Sequence, residues 1–200
     1  TVSHLEVLRN DQPYVSRGGV KLKAALEYFN IDPSGFVVLD IGSSTGGFSH
    51  CLILSGAEKV FAVDVGYGQL AWELRRDKRV VTLECTNIRH LEYDRLGERV
   101  DLVVVDASFI SLRLILPKAH EFLKPGGSIL ALVKPQFEAG ADEVGKGGKV
   151  RDSAVHERVL DSLKVNAQKL GLRVLGQTKS VIVGKKSGNE EFFLWLQKPQ

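Results

Sequence analysis

Short apolar runs alternate with amphipathic stretches along most of the chain. The runs predict five strands, at residues 36–41, 60–65, 80–83, 102–106 and 128–134. The stretches between and before them predict helices over residues 20–30, 48–55, 70–76 and 112–123. Strands that alternate with helices in this way favour a parallel sheet that is covered on both faces.

The C-terminal quarter of the chain departs from this alternation. Apolar side chains between Val155 and Ala167 fall on one stripe, which predicts a helix over residues 154–170 with Asp152 or Ser153 as its cap. Two further apolar stretches, 172–183 and 191–196, are joined by a loop that is too short for a crossover helix, so they should pair antiparallel. The pattern therefore predicts a single α/β domain whose seven-stranded, mostly parallel sheet ends in an antiparallel hairpin.

Composition narrows the class of protein. The chain has 200 residues, 44% of them hydrophobic and 26% charged, which is typical of one globular domain. Charges or glycines interrupt every apolar run, so we expect no transmembrane segment, and no signal peptide pattern opens the sequence. Two cysteines exclude a disulfide scaffold and favour a cytoplasmic location. A net charge of +3 permits a nucleic-acid partner without requiring one.

The segment after the first strand carries the first candidate site. It reads DIGSSTGGF over residues 40–48, a glycine turn that leads into a helix, where backbone N–H groups can approach a polar ligand. It matches neither GxGxxG nor the P-loop. Asp64 follows the second strand, 22 residues after Gly42, where nucleoside-binding sites place a carboxylate for ribose hydroxyls. The alternative is a plain turn with a solvated aspartate.

Two charged residues follow buried strands. Asp106 ends LVVVD and Lys134 ends LALVK, so the two side chains should lie near one another beside the glycine loop. The simpler interpretation is one ion pair at the edge of the sheet. A lysine at the end of an apolar strand favours a function instead, because burial disfavours the ammonium form and leaves a proton acceptor.

Eight motifs carry a family resemblance. They are SRGGVKL (16–22), LDIGSSTGGFS (39–49), VDVGYGQLAW (63–72), TNIR (86–89), VDASFISL (105–112), LVKPQFE (132–138), VGKGGKVRD (144–152) and GNEEFFLWL (188–196). Together they resemble the FtsJ-type ribosomal RNA 2′-O-methyltransferases, and within them the TlyA branch, whose members are often labelled hemolysin. The resemblance implies a Rossmann-like methyltransferase fold that uses S-adenosylmethionine.

The same resemblance implies a catalytic tetrad at Lys21, Asp106, Lys134 and Glu191. Lys134 would be the base for in-line methyl transfer to a ribose hydroxyl, and the two carboxylates would orient the lysines and balance charge. Residue spacing by itself does not separate Lys21 from Lys23, nor Glu191 from its neighbour.

The resemblance also implies where the methyl donor binds. The residues expected in the loop around its methionine part are Gly42, Ser44, Gly46, Gly47 and Phe48, and Asp40 before this loop is also expected to belong to the donor site. Asp64 is expected to hold the ribose, and the adenine is expected to contact Thr86, Asn87 and Ile88. No metal site is expected.

Ribosomal RNA or ribosomal subunits are the implied partner. The candidates for RNA contact are Arg17 and a basic flap with Lys146, Lys149 and Arg151, with Arg113, Lys185 and Lys186 as weaker ones. The alternative for the flap is an ordinary solvated loop. The branch usually carries an S4-type RNA-binding domain before SRGG, so residues 1–15 are interpreted as the remnant of a linker and residues 16–200 as the methyltransferase domain.

Other functions stay open at this point. A small-molecule methyltransferase would share the fold, and a non-catalytic RNA-binding protein would share the basic residues. The hemolysin label implies a membrane-active protein, but no insertion segment is visible in the sequence. His156 is expected on the surface, and Trp72 and Trp195 are expected in the core.

Overall fold

One sheet organises the molecule. The computed structural model describes residues 13–184 and 188–200. The strands are β1 Val37–Ile41, β2 Lys59–Val63, β3 Val80–Leu83, β4 Val100–Val105, β5 Leu123–Val133, β6 Arg173–Lys179 and β7 Phe192–Gln197. They lie in the order β3-β2-β1-β4-β5-β7-β6, with β1 to β5 parallel and β7 antiparallel to both neighbours. The predicted fold class is confirmed.

Helices cover both faces of this sheet. They are α1 Arg17–Tyr28, α2 Gly47–Leu54, α3 Trp72–Arg76, α4 Tyr93–Leu96, α5 Leu116–Phe122 and α6 Ser153–Lys169. Successive side chains of a strand point to opposite faces, so neighbours in β1 enter different cores. Val38 packs with α1 and α2, whereas Leu39 packs in the core that holds α5 and α6. This burial on both sides explains why the central strands read as continuous apolar runs.

The segment from Leu112 to Leu123 differs from the prediction of one helix. It forms a 3-10 turn at Leu112–Leu114 and then α5, whose first turn contains Pro117. Strand β5 begins at Leu123, five residues earlier than predicted, because Leu123 pairs with Val100 across a register shift. The predicted helix 154–170 is confirmed as α6, and Asp152 is its cap, since its carboxylate accepts a hydrogen bond from the amide of Ala154 at 2.9 Å.

Two expectations about side chains were wrong. His156 is buried, with 6% of its surface exposed, because a ring nitrogen lies 3.1 Å from the carbonyl of Val150 and the ring packs on Phe192. Trp72 is 71% exposed at the start of α3, where the guanidinium of Arg76 lies 5.9 Å from the ring. A five-residue helix has too little buried face to cover an indole. Trp195 packs against the core as predicted.

The topology brings the candidate residues to one edge. The five parallel strands all end there, and β7 begins there because it runs the other way. In the register of β5 and β7, Val133 pairs with Phe192, so Lys134 and Glu191 occupy adjacent positions just beyond that pair.

Candidate active site

A cavity of about 650 Å³ opens at this edge. Its walls come from the N-terminus of α1, the glycine loop after β1 and the ends of β4 and β5. The lining residues are Val15, Ser16, Arg17, Gly18, Lys21, Gly42, Ser43, Ser44, Thr45, Gly47, Phe48, Asp106, Ser108 and Lys134.

Two glycines allow these walls to approach one another. Gly42 has φ +83°, and a Cβ there would lie 2.8 Å from the carbonyl oxygen of Asp106. A Cβ on Gly47 would lie 2.1 Å from Oγ of Ser16, so any side chain there would push α1 away from α2. The glycines therefore set the spacing between the loop, Asp106 and the helix that carries Lys21.

Lys134 and Asp106 form the more open of two ion pairs. Nζ of Lys134 lies 2.6 Å from Oδ1 of Asp106, and the side chains are 11% and 24% exposed. The same ammonium donates a hydrogen bond to Oγ of Ser108 at 2.8 Å. Both side chains line the cavity, so a hydroxyl bound there can reach the lysine nitrogen.

Lys21 and Glu191 form the second pair. Nζ of Lys21 lies 2.5 Å from Oε2 of Glu191, and the side chains are only 10% and 4% exposed. Their sequence neighbours point outward, since Lys23 pairs with Glu27 on the surface and Glu190 pairs with Lys179. Of these lysines and glutamates, Lys21 and Glu191 are thus the buried ones, and Lys21 lies in the wall of the cavity.

A second cavity, of about 700 Å³, adjoins the first. Gly42, Ser44, Asp106 and Ser108 line both cavities. Beyond this shared wall lie Asp64 and the three residues after β3 that were predicted to face an adenine, Thr86, Asn87 and Ile88. The second cavity is therefore large enough, and polar enough at Asp64, for a nucleoside.

Asp64 is already held by backbone amides. Its Oδ2 accepts a hydrogen bond from the amide of Ser44 at 2.8 Å, and its Oδ1 accepts one from the amide of Gly66 at 2.7 Å. A carboxylate has about four acceptor positions, so capacity is left for the hydroxyls of a ligand. The bond to Ser44 also fixes the glycine loop, where Ser44 has φ +48°.

Two of the residues predicted to bind the donor stand behind these walls. Asp40 is fully buried beneath the glycine loop and accepts a hydrogen bond from Oγ of Ser49 at 2.6 Å. Burial raises the pKa of Asp40 to about 7. Gly46, with φ +94°, is the N-cap residue directly before α2 and packs against Leu70 and Leu74. Both shape the loop from below, and neither lines either cavity.

The residues predicted to contact RNA are spread more widely. Arg17 lines the first cavity, and its guanidinium donates a hydrogen bond to the carbonyl of Val183 at 3.1 Å. The basic flap exposes Lys146, Lys149 and Arg151 outside both cavities.

Hydrogen bonds to the rest of the protein hold the flap and the side chain of Arg113 in place. The buried Val150 anchors the flap, because its amide donates a hydrogen bond to Asn189 at 3.1 Å. The guanidinium of Arg113 bonds Ser162 on α6 at 2.6 Å. Lys185 and Lys186 lie outside the described residues.

The sequence analysis missed three residues of this edge, namely Ser108, Phe109 and Glu138. Phe109 is 89% exposed, has φ +64°, and its ring lies 5.0 Å from that of Phe137. The two rings line a shallow cavity of about 600 Å³ together with Arg89. One sequence signal could have found them: the motifs VDASFISL and LVKPQFE continue for several residues after Asp106 and Lys134.

Residues 13–184 and 188–200 contain no group of three or more His, Cys, Asp and Glu side chains placed to hold a metal ion. Among the helices described there, none combines the length and apolar character needed to cross a membrane.

The sequence of this chain is similar to those of several bacterial proteins. It is 49% identical over 191 residues to the 16S/23S rRNA (cytidine-2′-O)-methyltransferase TlyA of Mycobacterium tuberculosis (strain ATCC 25618 / H37Rv), covering 96% of this chain and 71% of the relative. Hemolysin A of Brachyspira hyodysenteriae is 40% identical over 190 residues, covering 94% of this chain and 78% of the relative.

Solved structures agree with these similarities. A Streptococcus thermophilus protein superposes with a TM-score of 0.91 at 44% identity, covering 96% of this chain and 70% of that one. Fibrillarin of Aeropyrum pernix, with bound S-adenosyl-L-methionine, shares the fold alone, with a TM-score of 0.61 at 19% identity over 88% of this chain and 74% of its own. Residues 14–198 match the FtsJ-like methyltransferase family, and with this extent of similarity the chain belongs to that family.

Proposed function

We propose that this protein transfers a methyl group from S-adenosylmethionine to a ribose 2′-hydroxyl of ribosomal RNA. One observation carries the proposal. The paired Lys134 and Asp106 stand where the two cavities meet, with Asp106 and Ser108 in the walls of both. A donor in one cavity and an acceptor hydroxyl in the other would meet at the lysine nitrogen.

The chain's own residues fit the donor. The second cavity offers the carboxylate of Asp64 for ribose hydroxyls and an apolar end at Ile88 for an adenine. The glycine loop offers the backbone N–H groups of Thr45 and Gly47, which line the first cavity, because the other amides of the loop already donate to Val63, Asp64 and Ser43. A side chain on Gly42 would collide with the backbone of Asp106 and displace this loop. A methionine moiety carries a carboxylate that such N–H groups can bind.

The residues then divide the chemistry. S-adenosylmethionine, when bound, supplies an electrophilic methyl carbon on its sulfonium. Asp106 and Ser108 hold Nζ of Lys134 beside the acceptor hydroxyl, and this nitrogen is the proposed acceptor of the hydroxyl proton as the carbon–oxygen bond forms and the carbon–sulfur bond breaks. Lys21 forms part of the adjacent wall, and its ion pair with Glu191 keeps α1 in place.

Ribosomal RNA is proposed as the acceptor because of the relatives. The Mycobacterium tuberculosis relative bears the name of an rRNA cytidine-2′-O-methyltransferase, and so does a Campylobacter jejuni relative that is 38% identical over 187 residues. The exposed Lys146, Lys149 and Arg151 supply cations for phosphate contacts on the same protein.

Incubation with radiolabelled S-adenosylmethionine and unmodified ribosomal subunits tests the proposal. We expect label in the RNA and a mapped 2′-O-methyl group, and no label in catechols or small acids. Label in the small molecules alone would replace the proposal with a small-molecule methyltransferase. RNA binding without transfer would leave a non-catalytic role.

Asp64→Ala tests the donor site separately. We expect the affinity for S-adenosylmethionine to fall by about tenfold or more, since one or two charge-assisted hydrogen bonds are lost. Calorimetry measures it, with Asp77→Ala, a surface carboxylate that pairs with Arg79 after α3, as the control. An unchanged affinity would remove Asp64 from the site.

A further inference from the structure

Two loops carry the open ion pair and its surroundings. The β4 loop, residues 106–112, holds Asp106, Ser108 and Phe109. The β5 loop, residues 134–138, holds Lys134 and a 3-10 turn at Pro135–Phe137, and it ends at Glu138. The geometry of the pair therefore depends on how the two loops are held against each other.

Glu138 joins the loops with both of its oxygens. Oε2 accepts a hydrogen bond from Oγ of Ser111 at 2.6 Å, and Oε1 accepts one from the amide of Leu112 at 2.7 Å. Leu112 begins a 3-10 turn, so its amide has no partner inside that turn. Burial raises the pKa of Glu138, while these two bonds act in the opposite direction.

Phe109 shows that the β4 loop is held under strain. Its φ of +64° is a conformation that bulky residues rarely adopt, and such strain persists only where the surroundings fix the backbone. Before Phe109, the loop is fixed by the contacts of Lys134 with Asp106 and Ser108. After it, the loop is fixed by Glu138.

We infer that Glu138 is a positioning residue for methyl transfer: its carboxylate locks the β4 loop to the β5 loop and so fixes Lys134 relative to Asp106 and Ser108. The effect on transfer rests on the proposed function, whereas the lock itself does not. Loss of the carboxylate removes the hydrogen bonds to Oγ of Ser111 and to the amide of Leu112 and lets the backbone at Phe109 relax. Asp106 and Ser108, which line both cavities, then move relative to Lys134.

A purely structural bond would also lower stability, so the test needs a matched control. Asp101 provides one at the opposite edge of the sheet. Its Oδ2 accepts a hydrogen bond from the amide of Val37 at 2.9 Å, and its Oδ1 pairs with Lys124 at 2.8 Å. Like Glu138, this carboxylate joins two elements through a backbone amide, but it does so far from Lys134.

The experiment compares Glu138→Ala, Glu138→Gln and Asp101→Ala by hydrogen exchange at the Leu112 amide and by steady-state transfer. In Glu138→Ala we expect protection at Leu112 to fall at least tenfold and kcat to fall by about tenfold or more, because small displacements of reacting groups are costly. In Glu138→Gln we expect kcat within about threefold of wild type, since an amide oxygen still accepts from Leu112. In Asp101→Ala we expect lower stability with unchanged kcat and Leu112 protection.

Two results would overturn the inference. One is wild-type Leu112 protection and kcat in Glu138→Ala. The other is a loss of kcat in Asp101→Ala that equals the loss in Glu138→Ala at matched stability. A wild-type protein that transfers no methyl group would contradict the proposed function instead, and the exchange measurement would still decide whether Glu138 locks the loops.

Discussion

The two ion pairs of the site differ in burial and in what they connect. Lys21–Glu191 is nearly sealed from solvent and ties α1 to the residue before β7, 170 positions away. Lys134–Asp106 joins the ends of two adjacent strands and is partly open through Asp106. The first pair can hold α1 against β7 but leaves little room for a ligand, whereas a substrate can reach the charged groups of the second pair.

Energetics follow from this difference. Breaking a buried pair by removing one partner leaves a charge without compensation, which costs far more than losing a pair that water can replace. We therefore expect substitutions at the open pair to lower mainly the rate of methyl transfer. Substitutions at the sealed pair should lower mainly the free energy of unfolding.

Lys134→Ala should have the largest effect on activity. Loss of the base should lower the rate of transfer by about 10²- to 10⁴-fold, while the affinity for S-adenosylmethionine stays near wild type, because the ammonium adjoins the acceptor side of the shared wall. Single-turnover transfer and calorimetry measure the two quantities. Lys124→Ala, at the start of β5, the strand that Lys134 follows, is the control and should transfer normally. A substantial residual rate in Lys134→Ala would assign the base elsewhere.

Glu191→Ala should have the largest effect on stability. It leaves Lys21 charged and buried, so we expect the free energy of unfolding to fall by about 3–5 kcal/mol in urea denaturation. Asp106→Ala should cost less, because that pair is partly exposed. The double variant Lys21→Met/Glu191→Leu should recover most of the stability without recovering transfer. Equal losses for Glu191→Ala and Asp106→Ala would show that burial does not distinguish the two pairs.

The same contrast explains what the sequence could predict. Asp106 and Lys134 follow apolar strands, and parallel neighbouring strands end at one edge, so their proximity follows from local patterns and a general rule. The pairing of Lys21 with Glu191 depends on how a helix packs against an antiparallel strand. Local patterns do not contain that geometry, and only the family resemblance separated Lys21 from Lys23.

Predictions for other residues were incomplete or wrong for physical reasons of the same kind. Phe109 was missed because its role depends on a left-handed backbone conformation that composition does not reveal. Trp72 was placed in the core because an indole is usually buried, but α3 is too short to bury it. His156 is predicted on the surface, but its ring is buried against the carbonyl of Val150 and the ring of Phe192, contacts that the local sequence does not reveal.

Asp40 is a buried acid that differs from the acids of both ion pairs, because no cation pairs with it among the described residues. Burial raises its pKa from 3.8 to about 7 in the folded protein, helped by the nearby Asp106 and Asp64 and opposed by Ser49. Between these two values the folded state binds more protons than the unfolded state. Stability should therefore fall as pH rises from about 4 to about 7, by up to about 4 kcal/mol, and then level off.

Asp40→Asn removes this titration and keeps an acceptor for Ser49. We expect its free energy of unfolding, measured by urea denaturation between pH 4 and pH 8, to lack the decline attributed to Asp40. Wild type and variant with parallel pH profiles would show that the folded-state pKa of Asp40 is close to its ordinary value. Asp101→Asn, a carboxylate paired with Lys124, is the control and should retain the decline.

The basic flap should show the smallest effect, because its cations are exposed and contact no part of either pair. If Lys146, Lys149 and Arg151 each neutralise one phosphate, RNA affinity should fall with log salt at about −0.7 per contact for single strands. Replacing all three with Ala should then flatten the salt slope by about two units and lower methylation at limiting RNA. The affinity for S-adenosylmethionine should not change, since the donor cavity lies elsewhere. Filter binding across a salt series measures the slope, and an unchanged slope would make the flap a solvated loop and move the RNA surface toward Arg17 and the aromatic pair at Phe109.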